Sequence, residues 1–303
     1  MSDIFYWIYF KRFNTQWIDV KYNHFCIKMI NKLFPLFYQF SKPALSSKAI
    51  DKSQCIVSLT TFPARIEKVW LTIESILRQK NKPDAIILWL YEGEFNGKSS
   101  LPTTLLNLEK RGLQIRFCDE NLLPHKKYFF ALKEFPAATI ITIDDDMIYP
   151  SDLLANLFEA HNQFPKAICC AISREIKFFN GVLLPYQHWN YIMDNTSPSY
   201  KFLIMGGGGA LFPPHAFGKE VFNVDRLREL ALRADDLWLK TMSLLNKTKI
   251  ACISGQYSRF PVPIIQKNKL RLMDENIGQG QNDKIINELM DYYKIPISIF
   301  DSK

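Results

Sequence analysis

From residue 54 onward, short apolar runs alternate with segments whose apolar residues recur at helical spacing. That alternation restricts the chain to a largely parallel sheet covered by helices on both faces. CIVSLTT, beginning at Cys55, is a β-branched apolar run, and in IEKVWLTIESILRQ the residues Ile66, Val69, Trp70, Ile73, Ile76 and Leu77 mark one helical face. AIILWL after Pro83-Asp84 and LQIRFC after the helix-like LPTTLLNLEKRG read as the second and third strands. KKYFFALKEF then reads as a helix stopped by Pro136, and ATIITI as a fourth strand running directly into Asp144-Asp145-Asp146. SDLLANLFEAHNQF follows as a helix with a serine N-cap, AICCAI as a fifth strand, a helix is predicted over about 225–246, and KIACIS and DKIINELMDYY read as a last strand and helix.

Composition narrows what such a sheet can do. With 303 residues, 48% of them hydrophobic, the chain can bury a sizeable core and is too apolar to be disordered. A net charge of +8 suits polyanionic partners such as nucleotide diphosphates, anionic lipid or nucleic acid. The basic residues form no continuous stripe, which argues against nucleic acid. The six cysteines (Cys26, Cys55, Cys118, Cys169, Cys170 and Cys252) show no C-x-x-C pair or framework spacing, as expected of reduced thiols in a cytoplasmic protein. No stretch reaches the roughly 18 apolar residues a spanning helix requires, and no signal peptide is evident.

Three segments follow. Residues 1–48 interleave aromatic and basic residues in IFYWIYFKRF and FCIKMINKLFPLFYQF, reading as two short amphipathic helices. They serve either as an interfacial anchor, giving peripheral inner-membrane association, or as packing against the domain or a second copy in an oligomer. Residues 49–255 hold the alternating α/β pattern, and 256–303 form a basic tail and helix.

The acidic triplet carries the chemistry. Three adjacent carboxylates at the end of an apolar strand repel one another, and a hard divalent cation relieves that repulsion. Alternation along an extended chain puts Asp144 and Asp146 on one side and Asp145 on the other. The alternative is a solvated acidic turn that helps cap the next helix. The run Gly206 to Gly209 lacks the G-K-[ST] of a phosphate-binding P-loop and the position of a dinucleotide fingerprint, and its missing side chains let backbone approach a ligand. No histidine shows zinc-ligand spacing.

The stretch LPHKKYFFALKEFPAATIITIDDDMIYPSDLLANL, with MGGGGALFPP and RADDLWLK downstream, resembles GT-A fold glycosyltransferases, especially bacterial enzymes of lipooligosaccharide, lipopolysaccharide or capsule synthesis. The resemblance implies a Rossmann-like, mixed but mostly parallel sheet and an enzyme that moves a sugar from a nucleotide-diphosphate sugar, a UDP-sugar in the first instance, to a saccharide or glycolipid acceptor. It further implies Mn²⁺ or Mg²⁺ held by Asp144 and Asp146, with the nucleotide sugar bordered by Thr60, Thr61, Arg65, Lys127, Asp144, Asp145, Gly207 and Gly208. By the same resemblance Asp235 and Asp236 would stand at the x-E-D position of inverting enzymes, with Asp235 in place of Glu and Asp236 as general base; the alternative is that both only complement the N-terminus of their helix. The third metal ligand is left unassigned. Tyr186 and Trp189 either stack on a sugar or pack in the core, and Lys267, Lys269 and Arg271 form either a lid or a solvated face. The rival readings are a nucleotidyltransferase acting on sugar phosphates and a non-catalytic carbohydrate- or nucleotide-binding relative.

Overall fold

Strand β1 (Cys55–Thr60) is buried in all but its last residue, as a strand covered on both faces must be. It lies inside a seven-stranded sheet with β2 (Ala85–Tyr91), β3 (Leu113–Cys118), β4 (Thr139–Thr142), β5 (Ile168–Cys170), β6 (Ala210–Phe212) and β7 (Ile250–Cys252). The order is β7-β5-β6-β4-β1-β2-β3. Every neighbouring pair is parallel except those of β6, which runs antiparallel to both β4 and β5. The mixed, mostly parallel α/β sheet expected from the sequence is therefore present. The computed structural model describes residues 8–9, 16–40, 42–45, 54–192, 195–253, 261–266 and 280–302.

Helices α1 (Gln16–Phe40), α2 (Val69–Leu77), α3 (Thr103–Glu109), α4 (Lys126–Glu134), α5 (Leu153–Gln163), α6 (Val224–Leu230), α7 (Asp235–Leu245) and α8 (Gln281–Tyr292) surround the sheet. Side-chain alternation divides the core. Ile56, Ile87, Ile140 and Phe212 face α4, α7 and α8, packing with Phe129, Trp238 and Leu289. Val57, Leu88, Ile141 and Leu211 face the other way, packing with Ile73 and Ile76 of α2, Leu105 of α3 and Leu157 of α5.

The structure refines the expected elements at three places. The single helix expected over about 225–246 is two helices, broken at Ala231–Ala234. Asn223 caps the first, its side chain accepting the Arg226 N–H, and the break lets a second helix begin on Asp235. Helix α5 begins after Asp152 without a side-chain cap, so Ser151 does not cap it. At the amino end, α1 is one helix of 25 residues that carries Pro35 in its interior; most of the first amphipathic stretch lies outside the described residues.

The inner stripe of α1, Cys26, Ile30, Phe34 and Tyr38 at four-residue spacing, packs with Leu71, Ile148, Val262 and Ile264. Asn31 gives that contact a polar lock: its Nδ2–H donates to Pro263 O at 2.9 Å while its Oδ1 accepts the Ile265 N–H at 2.8 Å. The short strand at Val262–Pro263 pairs antiparallel with Met147–Ile148, directly after the acidic triplet. Beneath α1, buried Glu74 takes both terminal nitrogens of Arg111 at 2.6 and 2.8 Å and pairs with Arg78, whose guanidinium lies 4.2 Å from the Tyr38 ring centroid. Arg111 Nε–H also donates to Pro43 O at 2.9 Å.

Candidate active site

The direction of β6 assembles the site. Ala210 at its start lies opposite Thr142 at the end of β4, so the glycine run before β6 meets the acidic triplet after β4. The first turns of α4 and α7 reach the same edge and bring Lys127, Asp235 and Asp236. Ligands of open α/β sheets bind at this carboxyl edge.

Lys127 is the hub. Almost wholly buried, its Nζ lies 2.6 Å from Asp144 Oδ1 and 2.8 Å from Asp235 Oδ2. Burial opposes its charge, yet Asp144, Asp235 and Asp236 outweigh burial and hold the ammonium pKa well above the ordinary lysine value. Burial would likewise lift Asp235, but Lys127 reverses the sign and holds its carboxyl below the usual range. Asp236 is farther from that cation. Burial and then the charge of Asp235 push its carboxyl well above 3.8, and its Oδ1 accepts the Gly206 N–H at 3.0 Å. The two adjacent aspartates are thus pushed in opposite directions, Asp235 by the neighbouring lysine and Asp236 by burial beside another carboxylate.

The glycine run fits around these groups. A β-carbon on Gly206 would sit 2.9 Å from Asp236 Oδ1 and 3.1 Å from Lys127 Nζ, and one on Gly207 would sit 3.3 Å from Asp144 Oδ2. Gly208 faces elsewhere, where a β-carbon would stand 2.5 Å from Ile172. Of the pair named from sequence, Gly207 borders the carboxylates and Gly208 packs on the core, while Gly206 makes the tighter contact. Tyr149 joins the two loops: its hydroxyl accepts the Asp144 N–H at 2.9 Å and donates to Gly207 O at 3.0 Å.

The alternation expected of an extended triplet is not kept, because the chain turns at Asp145-Asp146 and Arg65 pairs with both of them, while Asp144 pairs with Lys127. Asp145 is buried; its carboxylate accepts Thr61 Oγ1–H at 2.5 Å and Arg65 Nη1–H at 2.7 Å, and Thr72 bonds its carbonyl at 2.6 Å. Burial raises the Asp145 carboxyl pKa against the pull of Arg65 and Thr61. Thr61 and Arg65 therefore hold the triplet, and Thr60 donates to Trp89 O at 2.8 Å. Arg65 also lies 3.2 Å from Asp146 Oδ2. The side chains of Asp144 and Asp146 remain about one third and one fifth exposed.

These residues suit one kind of cation site. Among the described residues, no cluster of three or more His, Cys, Asp or Glu is placed to hold a metal. A pair of carboxylates two residues apart, under glycines that leave room over Asp144 Oδ2, fits an ion that takes one or two carboxylates and completes its shell with substrate phosphates and water.

Other residues named from sequence lie away from this edge. Tyr186 and Trp189 are buried with ring centroids 5.0 Å apart and belong to the core. Lys267, Lys269 and Arg271 lie outside the described residues. His125 is buried, its pKa pulled down to about 4 by burial, and its ring bridges Tyr128 Oη at 2.7 Å and Ala231 O at 2.9 Å. Only an Nε2–H can satisfy that carbonyl, so Nδ1 accepts the tyrosine hydroxyl and His125 braces the break between α6 and α7.

No protein-family model matches the chain, and no curated protein sequence matches it. Among solved structures it is similar to a 4-diphosphocytidyl-2C-methyl-D-erythritol synthase, at 9% identity and TM-score 0.43 over 79% of this chain and 99% of that one. It is similar also to residues 1–349 of S. aureus TarS in complex with UDP, at 13% identity and TM-score 0.43, over 67% of this chain and 58% of that one. A third is the inositol-1-phosphate CTP transferase from T. maritima, at 9% identity and TM-score 0.43 over 80% and 98%. These likenesses assign no residue a role.

Proposed function

We propose that the protein is a glycosyltransferase that moves a sugar from a nucleotide-diphosphate sugar, a UDP-sugar first among them, to a hydroxyl of a saccharide or glycolipid acceptor with inversion. The observation that carries this reading is the meeting, at one sheet edge, of Asp236, whose carboxylate accepts the Gly206 N–H, with Lys127 bridging Asp235 and Asp144 of the acidic triplet. An acceptor hydroxyl must lose its proton as it attacks the anomeric carbon, and Asp236, with its elevated proton affinity and its carboxylate fixed by the Gly206 N–H, is suited to take it. The new bond forms between acceptor oxygen and anomeric carbon while the bond to the diphosphate breaks and its electron pair leaves with the diphosphate.

Lys127 contributes a fixed positive charge near the departing group, kept protonated by three carboxylates. Mn²⁺ or Mg²⁺ on Asp144 and Asp146 would supply further charge for the diphosphate. The base also separates this reading from a nucleotidyltransferase. There the attacking group is a phosphate that is already ionised at neutral pH, so a buried proton acceptor has no task.

The test is release of nucleoside diphosphate from a panel of nucleotide sugars, with and without acceptor sugars, in Mn²⁺ and in EDTA. The reading expects release from one donor class that needs metal and is accelerated by an acceptor. Metal-independent release at the same background rate from every donor, with every acceptor, would overturn it, and release of pyrophosphate from a nucleoside triphosphate with a sugar phosphate would favour the nucleotidyltransferase.

A further inference from the structure

The outer face of α1 is not explained by the site. Twelve large hydrophobic side chains are exposed among the described residues, and five of them, Ile18, Val20, Phe25, Leu36 and Phe40, lie on this one helix of 25 residues. Phe25 is 62% exposed, Leu36 53% and Phe40 88%. At 100° per residue, Ile18, Phe25, Leu36 and Phe40 form one strip, and the exposed Lys21, Lys28 and Lys32 form the strip beside it. The opposite stripe is committed to the domain through Cys26, Ile30, Phe34 and Tyr38. No described helix is long and apolar enough to cross a membrane.

We propose that this face docks the protein on an anionic lipid surface, with Phe25, Leu36 and Phe40 entering the headgroup boundary and Lys21, Lys28 and Lys32 resting on lipid phosphates. Charge decides the occupant. Three lysines stand against one carboxylate, Asp19, along the helix. A second copy of the same face would bring lysine onto lysine, whereas anionic phospholipid complements the basic strip and admits the aromatic and aliphatic strip beside it. The helix lies on the surface rather than through it, because its inner stripe is already packed. The polar lock of Asn31 onto Pro263 and Ile265 and the cradle of Arg78 under Tyr38 keep the outer face fixed relative to the sheet. The docking does not depend on the transferase chemistry.

The experiment is flotation of the full chain with vesicles of phosphatidylcholine alone and of phosphatidylcholine with phosphatidylglycerol. Wild type is expected to float with the anionic vesicles and far less with the neutral ones, with binding falling as salt rises. Lys21→Gln, Lys28→Gln and Lys32→Gln together remove about fivefold in affinity per charge, roughly a hundredfold in all. Phe25→Ser, Leu36→Ser and Phe40→Ser together are expected to abolish flotation while the unfolding temperature stays within a few degrees, since all three side chains face solvent. Wild-type protein that stays unbound, or variants that bind anionic vesicles as wild type does, overturn the proposal. A concentration-dependent dimer in sedimentation velocity that the serine variant dissolves, with no flotation of wild type, would instead assign the face to a second copy.

Discussion

Substituting Gly206 by alanine tests the site where its packing is tightest. The added β-carbon would stand 2.9 Å from Asp236 Oδ1 and 3.1 Å from Lys127 Nζ, and Gly206 has no left-handed backbone to strain. The obstructing atoms are ends of side chains, so the fold can yield at modest cost, about 1–3 kcal/mol by the usual range for overpacking. What must move is the carboxylate oxygen itself. A shift of a few tenths of an ångström to 1 Å also breaks its bond from the Gly206 N–H, and misplacement on that scale costs up to about 10²-fold in rate. The assay is steady-state release of nucleoside diphosphate, read beside thermal unfolding and donor binding. Gly206→Ala should fold, bind donor within a fewfold of wild type, and lose between about ten- and a hundredfold in kcat. Full kcat in a folded Gly206→Ala protein would refute the placement of Asp236 at the reacting atoms.

Three further outcomes follow from the same geometry. Lys127→Met leaves Asp144 and Asp235 without their shared cation and should destabilise the protein by about 2–3 kcal/mol, less than a fully buried pair because Asp144 is about one third exposed; adding Asp235→Asn should restore part of that in urea titrations. Tyr149→Phe strips the Asp144 N–H and Gly207 O of their partner, costing about 1–3 kcal/mol and lowering kcat, measurable by calorimetry and nucleotide release. Lys240, fully buried with its Nζ–H on Tyr200 O, has its pKa pulled by burial from 10.5 down to about 7. Between those values unfolding takes up a proton, so stability should rise with pH across that window by an amount on the order of a few kcal/mol, and Lys240→Met should flatten the dependence in denaturant titrations at pH 6.5 and 9.

Much of the sheet was legible because β1 to β5 are either continuous apolar runs or sit beside strongly periodic helices. The acidic triplet stood out because ATIITI runs into it without a turn residue. The direction of β6 could not be read: Ala210-Leu211-Phe212 is a three-residue strand that pairs equally well either way on apolar pattern alone. That direction decides which glycine meets which carboxylate, so sequence pointed to Gly207 and Gly208 where the closest contacts belong to Gly206 and Gly207. The resemblance implied nucleotide contacts for Thr61 and Arg65; their bonds to Asp145 could not be read, because that carboxylate lies 84 and 80 residues away. The break at Ala231–Ala234 was hidden because apolar residues continue at helical spacing across it.

The central claim, that cation and donor binding belong to the triplet while proton removal belongs to Asp236, is tested most directly by one comparison: Mn²⁺-dependent binding of a nucleotide sugar and its turnover in Asp146→Ala and Asp236→Asn. Asp146→Ala should lose the metal-linked part of donor binding. Asp236→Asn should bind donor with metal as wild type does and fail to turn it over. Full turnover by Asp236→Asn, or metal-linked binding undiminished in Asp146→Ala, would contradict the account.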